Sequence, residues 1–220
     1  MKVTYLFNSG FVVELERHIL IFDYFKGAIP PLDKNKAVYV FVSHEHKDHY
    51  NPEIYNIKHN NINYIIDSNI NNHGLKVAPH HHYHLDELTI TTLQSTDEGV
   101  AFVVNVEDKY IYHAGDLNWW DWDGEPEDFL RYQETTFKKE IDSICDIQFD
   151  LMMIPLDKRL EANASKGMNY ILERVTSKYI LPMHCFSHHK EMSQLVDLPP
   201  LNKYSNILKI EKRHQDFDLK

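Results

Sequence analysis

Apolar and polar positions alternate from the start of the chain. Residues 2–7 and 10–15 alternate around a turn at Asn8-Ser9-Gly10, a pattern that predicts a β-hairpin. Residues 18–22 (His-Ile-Leu-Ile-Phe) read as a third strand. Residues 38–42 form a more continuous apolar run, as expected of a strand covered on both faces. Further strands are predicted at 63–67, 88–93, 100–106, 109–113, 150–155, 178–182 and 206–210. Helical periodicity comes later. Residues 126–144 space Phe129, Leu130, Tyr132, Phe137, Ile141 and Ile144 by mixed threes and fours, opened by Pro126. Residues 165–176 carry Met168, Ile171, Leu172 and Val175 and follow Asn163, a candidate cap. A short helix is expected near 51–57. Strands first, then helices alternating with strands, suggest an α+β chain: stacked mixed sheets flanked by helices, in one domain spanning 1–220.

Several predicted strands end in residues able to bind metal. The strand at 38–42 leads to His44, 88–93 to Asp97, 109–113 to Asp116, 150–155 to Asp157 and 178–182 to His184. If these strands share a direction, all five loops converge on one edge of a sandwich.

Bulk composition narrows the classes. The 220 residues are 43% hydrophobic and 25% charged, ordinary for a soluble globular protein. The 23 basic and 33 acidic residues give a net charge of -10, the opposite balance to a non-specific nucleic-acid binder. Cys145 and Cys185 are too few for a disulfide framework and read as reduced thiols of a cytosolic protein. No signal peptide is evident after Met1, and no stretch approaches the roughly 20 apolar residues that span a bilayer. A cytoplasmic protein with a small-molecule substrate is expected, without nucleic-acid or membrane partners. The oligomeric state is open, a homo-oligomer included.

The chemistry concentrates in Ser43-His44-Glu45-His46-Lys47-Asp48-His49. His44, His46, Asp48 and His49 lie within six residues, directly after a buried strand. Imidazole suits zinc, iron and related divalent ions, and the carboxylate widens the choice toward harder ones. A solvated polar loop is the bland alternative, but the density of ligands argues against it. This His-x-His-x-Asp-His run resembles the defining motif of the metallo-β-lactamase fold superfamily. The resemblance extends through Tyr112-His113-Ala114-Gly115-Asp116 to Pro182-Met183-His184. It implies an αββα four-layer sandwich with two metals at one edge. It implies His44 and His46 on the first metal, Asp48, His49 and His184 on the second, and Asp116 bridging. Zinc is the first expectation, with Mn2+ or Fe2+ as alternatives.

One position departs from the family pattern. The family usually supplies a third histidine to the first metal from a loop after a middle strand. Here that segment, Leu93–Gly99, holds no histidine, and Asp97 is the nearest equivalent. Either Asp97 is an oxygen ligand in place of imidazole, which makes the site harder, or the first site is weakened. The run His80-His81-His82-Tyr83-His84 precedes the strand at 88–93 and reads as a solvent loop at the opposite edge. Cys185 should point away from the His184 side chain if the segment stays extended. His113 and Asn118 are candidates to orient ligands. The segment 117–124 holds all three tryptophans, either as a hydrophobic anchor or as an aromatic wall beside the metals; Asn118 and Trp119 are its candidate substrate contacts. Lys158 and Arg159 are candidates to hold a carboxylate or phosphate.

The function implied is a dinuclear metal-dependent hydrolase. A hydroxide between two metals would attack a small-molecule ester, lactone, thioester or amide. Asp48 and Asp116 are the candidate catalytic carboxylates, with Asp48 also able to accept a proton. Similar compact family members act as lactonases on polar or phosphorylated sugar acids, which is analogy only. The competing readings are phosphodiester hydrolysis on a nucleotide-like substrate, iron-dependent oxidation, and a scaffold without turnover.

Overall fold

The computed structural model describes residues 1–220. The chain builds two mixed β-sheets in succession. The first contains β1 (Lys2–Phe7), β2 (Gly10–Glu14), β3 (His18–Phe22), β4 (Ala37–Val42), β5 (Ile62–Asp67) and β6 (Leu75–Val77). The second contains β7 (His82–Leu85), β8 (Leu88–Gln94), β9 (Val100–Val106), β10 (Lys109–His113), β11 (Gln148–Pro155) and β12 (Thr176–Met183). Near the chain end, β13 (Asp216–Asp218) returns to pair antiparallel with β1, giving the first sheet the order β13-β1-β2-β3-β4-β5-β6. The second sheet runs β12-β11-β10-β9-β8-β7. Helices α1 (Glu127–Asp142) and α2 (Lys166–Arg174) lie in the β10–β11 and β11–β12 connections, and α3 (His189–Val196) follows β12. No helix is long and apolar enough to cross a membrane.

Strand alternation explains why β3 and β4 are buried on both faces. Leu20, Phe22, Tyr39 and Phe41 belong to the core between the sheets. Ile19, Ile21, Val38, Val40 and Val42 belong to a separate outer cluster. Phe41 stacks on Phe22 at 4.8 Å and meets Phe102 of the second sheet edge-on at 5.2 Å, which joins the two sheets through aromatic contact. Outside the second sheet, α1 and α2 bury Phe137, Ile141, Met168 and Ile171. Outside the first, the cover is thin: Ile54 from a 3-10 turn at Pro52–Asn56, with Tyr24, Ile29 and Leu32.

Four local differences from the sequence reading have physical causes. The helix expected near 51–57 is that 3-10 turn; Asn51 caps it by accepting from Glu53 N, and Ile57 is already extended. The strand expected at 206–210 is reduced to one bridge, Ile180 to Ile207. Ile180 N donates to Asn206 O at 3.0 Å, but the next donor on that side of β12 would be residue 182, a proline without an N–H. The His80–His84 run is not a loop: residues 82–85 form edge strand β7, with His82 and His84 exposed and Tyr83 and Leu85 packed toward the core. Helix α3 was not expected, because its buried apolar residues are only Met192 and Val196, one turn apart.

The sheets touch where the loop after β4 meets the β8–β9 turn. Val100 N donates to Ser43 O at 3.1 Å. Gly99 has φ +68°, and a Cβ there would lie 1.9 Å from Ser43 O and 2.7 Å from His44 Cβ. Backbone clash and left-handed strain act together. Gly99→Ala is expected to lower the unfolding free energy by about 3 kcal/mol or more. Urea denaturation measures this, and a loss under about 0.5 kcal/mol would refute the close approach.

Candidate metal centre

Within the first sheet, β1, β3 and β4 run the same way; within the second, β8, β10, β11 and β12 do. Their ends deliver Asn8, Asp23, the 43–49 loop, Asp97, Asp116, Asp157 and His184 to one edge. Contacts between the two sets, such as His184 N donating to Asn8 O at 3.1 Å, close the edge.

Asp23 is the anchor. It is fully buried. Its Oδ1 accepts from Ser43 N at 2.8 Å, and its Oδ2 accepts from Ser43 Oγ at 2.6 Å and His49 Nδ1 at 2.7 Å. Burial alone would raise this carboxylate, yet His113 and His49 hold it below the ordinary range. The same arrangement recurs at two further buried imidazoles, His44 and His184. His44 Nδ1 donates to Ser43 Oγ at 3.0 Å, and His184 Nδ1 donates to Asp157 Oδ2 at 3.0 Å. An Nδ1–H held by oxygen fixes the tautomer and leaves Nε2 as the lone-pair donor. All three Nε2 atoms face Asp116. His44 Nε2 is 3.5 Å from its Oδ2; His49 Nε2 and His184 Nε2 are 3.1 and 3.4 Å from its Oδ1.

Asp116 is held in place by a sharp turn. Gly115 has φ +52°, and a Cβ there would lie 2.8 Å from both Ser43 Cβ and Val100 O. His113 is not a ligand. Its Nε2 donates to Ser9 O at 2.8 Å, its Nδ1 accepts from Gly115 N at 3.1 Å, and its ring stacks on Phe22 at 5.0 Å. It therefore braces the turn before Asp116.

Three donor groups result, each with ligand atoms within 4.8 Å of one another. They are Asp48, His49 and His184; His44, His49 and Asp116; and His46, Asp97 and Asp116. All seven residues expected as ligands thus lie together, with Asp116 in two groups. His46 and Asp97 are the loosest pair, with side chains 44% and 51% exposed and 3.9 Å apart.

The cluster fits divalent cations. His49 Nε2 and Asp116 Oδ1 are buried, close enough for an ion pair, and not aligned as a hydrogen bond with any partner. Burial would lower His184 and raise Asp116, but Asp116 holds His184 up, and His49 ahead of His184 holds Asp116 down. His184 is pushed up to about 9, and Asp48 and Asp116 fall below the usual carboxylate range. His49 also rises well above its ordinary value against the cost of burial, through Asp116 and the carboxylates bonded to it. Burial and the neighbouring His49 push His44 down to about 4, so it is a ready neutral ligand.

A cavity of about 300 Å³ opens beside these residues. Asp97, Asp116 and His184 of the donor cluster are among its lining residues. Trp120, Trp122, Phe129 and Tyr132 form apolar walls, with Arg159 and Gln133 among them. Trp120 Nε1 donates to Asp116 O at 2.9 Å. Arg159 Nε donates to Asp157 Oδ1 and Oδ2 at 3.0 and 2.9 Å. Of the residues expected to contact substrate, Arg159 is here and three are not. Trp119 is packed between Phe137 and Tyr170, under Lys138 and Lys166. Asn118 is buried beneath the cavity, its backbone bonded to Thr96 Oγ1. Lys158 turns toward Glu191 at 3.4 Å. The tryptophan segment is thus both anchor and wall, split between Trp119 and its neighbours.

Cys185 stays out of the donor set for a different reason from the one expected. His184 and Phe186 have φ of 65° and 50°, so the segment is not extended. Its Sγ lies 3.1 Å from His189 Nδ1, and burial pushes the thiol up to about 11. Sequence reasoning missed Asp23, although it follows an apolar strand as Asp97 and Asp116 do. It also missed Asn8, whose Nδ2 donates to Asp48 Oδ2 at 3.0 Å.

Comparison with known proteins points the same way. A family model described as the beta-lactamase superfamily domain matches residues 2–121. The UPF0173 metal-dependent hydrolase of Carboxydothermus hydrogenoformans is 23% identical over 208 residues, covering 84% of each chain. Among solved structures, Igni18, a metallo hydrolase from the archaeon Ignicoccus hospitalis, superimposes with TM-score 0.67 at 16% identity, over 100% of this chain and 99% of that one. CmlA, a diiron β-hydroxylase from Streptomyces venezuelae, gives TM-score 0.64 at 9% identity, over 99% of this chain and 54% of that one.

Two outcomes follow from the geometry. Asp23→Asn replaces one of the two acceptor oxygens by an NH2 donor, so Ser43 N and His49 Nδ1–H can no longer both be held, and it is expected to weaken zinc binding about 10- to 100-fold. Competition titration with a chromophoric chelator measures it, and unchanged affinity would deny Asp23 this role. At pH 7.5, below the raised value of about 9, His184 carries a proton that a metal must displace. Zinc uptake should therefore release about one to two protons per chain, read as a dependence of binding heat on buffer ionisation enthalpy.

Proposed function

Because this chain belongs to the beta-lactamase superfamily, we propose that it is a metal-dependent hydrolase that uses two divalent ions to cleave a small-molecule ester, lactone, thioester or amide. The observation that carries this reading is the convergence of three imidazole Nε2 atoms, each with its Nδ1 tied to oxygen, on the single carboxylate of Asp116. His44, His46 and Asp97 would hold one ion, Asp48, His49 and His184 the other, and Asp116 would serve both. When bound, such ions supply Lewis acidity and lower the pKa of water toward neutrality.

The chain's own residues do the rest. Asp23 and Asp157 keep two imidazoles in the ligating tautomer. Asp48 is part-exposed, and Asn8 holds its Oδ2, which leaves Oδ1 free of protein partners to take a proton on the open side. The Trp120 and Trp122 walls exclude water from one flank of the cavity.

A second reading, iron-dependent oxidation, has one specific observation behind it. Asp97 puts a carboxylate where the family has an imidazole, and an oxygen-richer set suits iron(II) or manganese better than zinc alone. The diiron hydroxylase of the same fold is consistent with that chemistry.

Elemental analysis separates these readings. About two zinc or manganese ions per chain, with turnover on a panel of lactones and esters, supports hydrolysis. Iron with visible absorbance and oxygen uptake supports oxidation. Asp116→Ala and His46→Ala are expected to lower turnover at least about 1,000-fold with little change in circular dichroism. Full activity in Asp116→Ala at trace metal would sink the mechanism.

A further inference from the structure

Resting on the hydrolase reading, we propose that the cavity selects a small secondary amide with a carboxylate on one side of the scissile bond and a flat apolar group on the other. The first observation is Gln133 on α1. It lines the cavity and is 3% exposed. Its Nε2 donates to Thr96 O at 2.9 Å, which fixes the orientation of the amide, and its Oε1 is buried with no partner. A buried acceptor without a donor is costly unless a ligand brings one. Esters, lactones and thioesters carry no donor in the linkage itself. A secondary amide carries an N–H there.

Arg159 supplies the second determinant. Its Nε and Nη2 are committed to Asp157, which lies behind it and is 2% exposed. Nη1 has no protein acceptor, the guanidinium packs 4.9 Å from the Phe186 ring, and the residue lines the cavity. A planar cation held by its far edge presents its near edge to a ligand anion.

The third determinant is the walls. Trp120 and Trp122 stack at 5.8 Å with planes 3° apart. Phe129 and Tyr132, which also line the cavity, are 36% and 49% exposed, large side chains left uncovered. A volume of about 300 Å³ is at the small end for ligand cavities, so the amide is small. In the reaction, the oxygen of water bonds to the acyl carbon and the C–N bond breaks. The nitrogen leaves with the bonding pair and takes both water protons, giving a carboxylate and an ammonium.

Three probes test the proposal on the zinc-loaded full chain: N-benzoylglycine, its neutral form N-benzoylglycinamide, and its ester analogue O-benzoylglycolic acid. Binding is read from tryptophan fluorescence immediately after mixing, before turnover, and hydrolysis from product release. N-benzoylglycine is expected to bind about tenfold tighter than either analogue. Arg159→Met is expected to erase the preference over the glycinamide while keeping the preference over the ester. Because the readout is a ratio within one variant, a general weakening of the site does not imitate it. Equal binding of the three probes, or an unchanged ratio in Arg159→Met, overturns the proposal. Unselective binding with hydrolysis of neutral esters overturns it while the hydrolase reading stands. Selective binding without any hydrolysis supports it and removes the hydrolase reading instead.

Discussion

A fully buried carboxylate, Asp23, is the interaction on which the centre depends. Burying a charge is expensive unless it is paired and hydrogen-bonded. Here Ser43 N, Ser43 Oγ and His49 Nδ1 offset the cost, with His113 nearby. The three bonds link the end of β3 to both ends of the ligand loop after β4. His44 is then positioned through Ser43, and His49 directly. A purely apolar residue at 23 could fill the space but would fix neither the backbone of the loop nor the imidazole tautomer.

The same device appears on the second sheet. Asp157 joins His184 to Arg159, so one carboxylate serves an imidazole of the cluster on one side and a cavity cation on the other. The inner surface of the cavity is in this way tied to the centre by short polar bridges, and its outer surface is aromatic. The acidity of the chain as a whole says little about this local order. Carboxylates at the centre are matched by imidazoles, and the one guanidinium lining the cavity is matched by Asp157.

That the seven candidate ligand residues gather at one edge was legible because most lie in a dense motif or directly after an apolar strand. The sheets were legible for the same reason, since period-two alternation and two-sided burial leave strong patterns. What escaped was whatever depends on partners distant in sequence. Asp23 looks like any turn carboxylate until Ser43 and His49 are seen beside it. Gln133 is one polar residue on an amphipathic helix, and its partner Thr96 lies 37 residues away. Trp119 and Trp120 are neighbours with opposite fates, because the turn after Asp116 sends one into the core and the other to the cavity. At 206–210 the apolar pattern was real but Pro182, on the neighbouring strand, withheld the donor that a ladder needs. Within β7, the alternation of Tyr83 and Leu85 with His82 and His84 was visible, and the density of histidine obscured it.

The contact of Ser43 with Gly99 and Gly115 has a consequence for how the molecule matures. His44, His46, Asp48 and His49 arrive on one sheet, Asp97, Asp116 and His184 on the other. Each of the three donor groups draws on both sheets, and the groups close only where those glycines let the backbones meet. A chain whose halves have not docked has not yet gathered these donors, so the order of assembly is sheets first and donor cluster second.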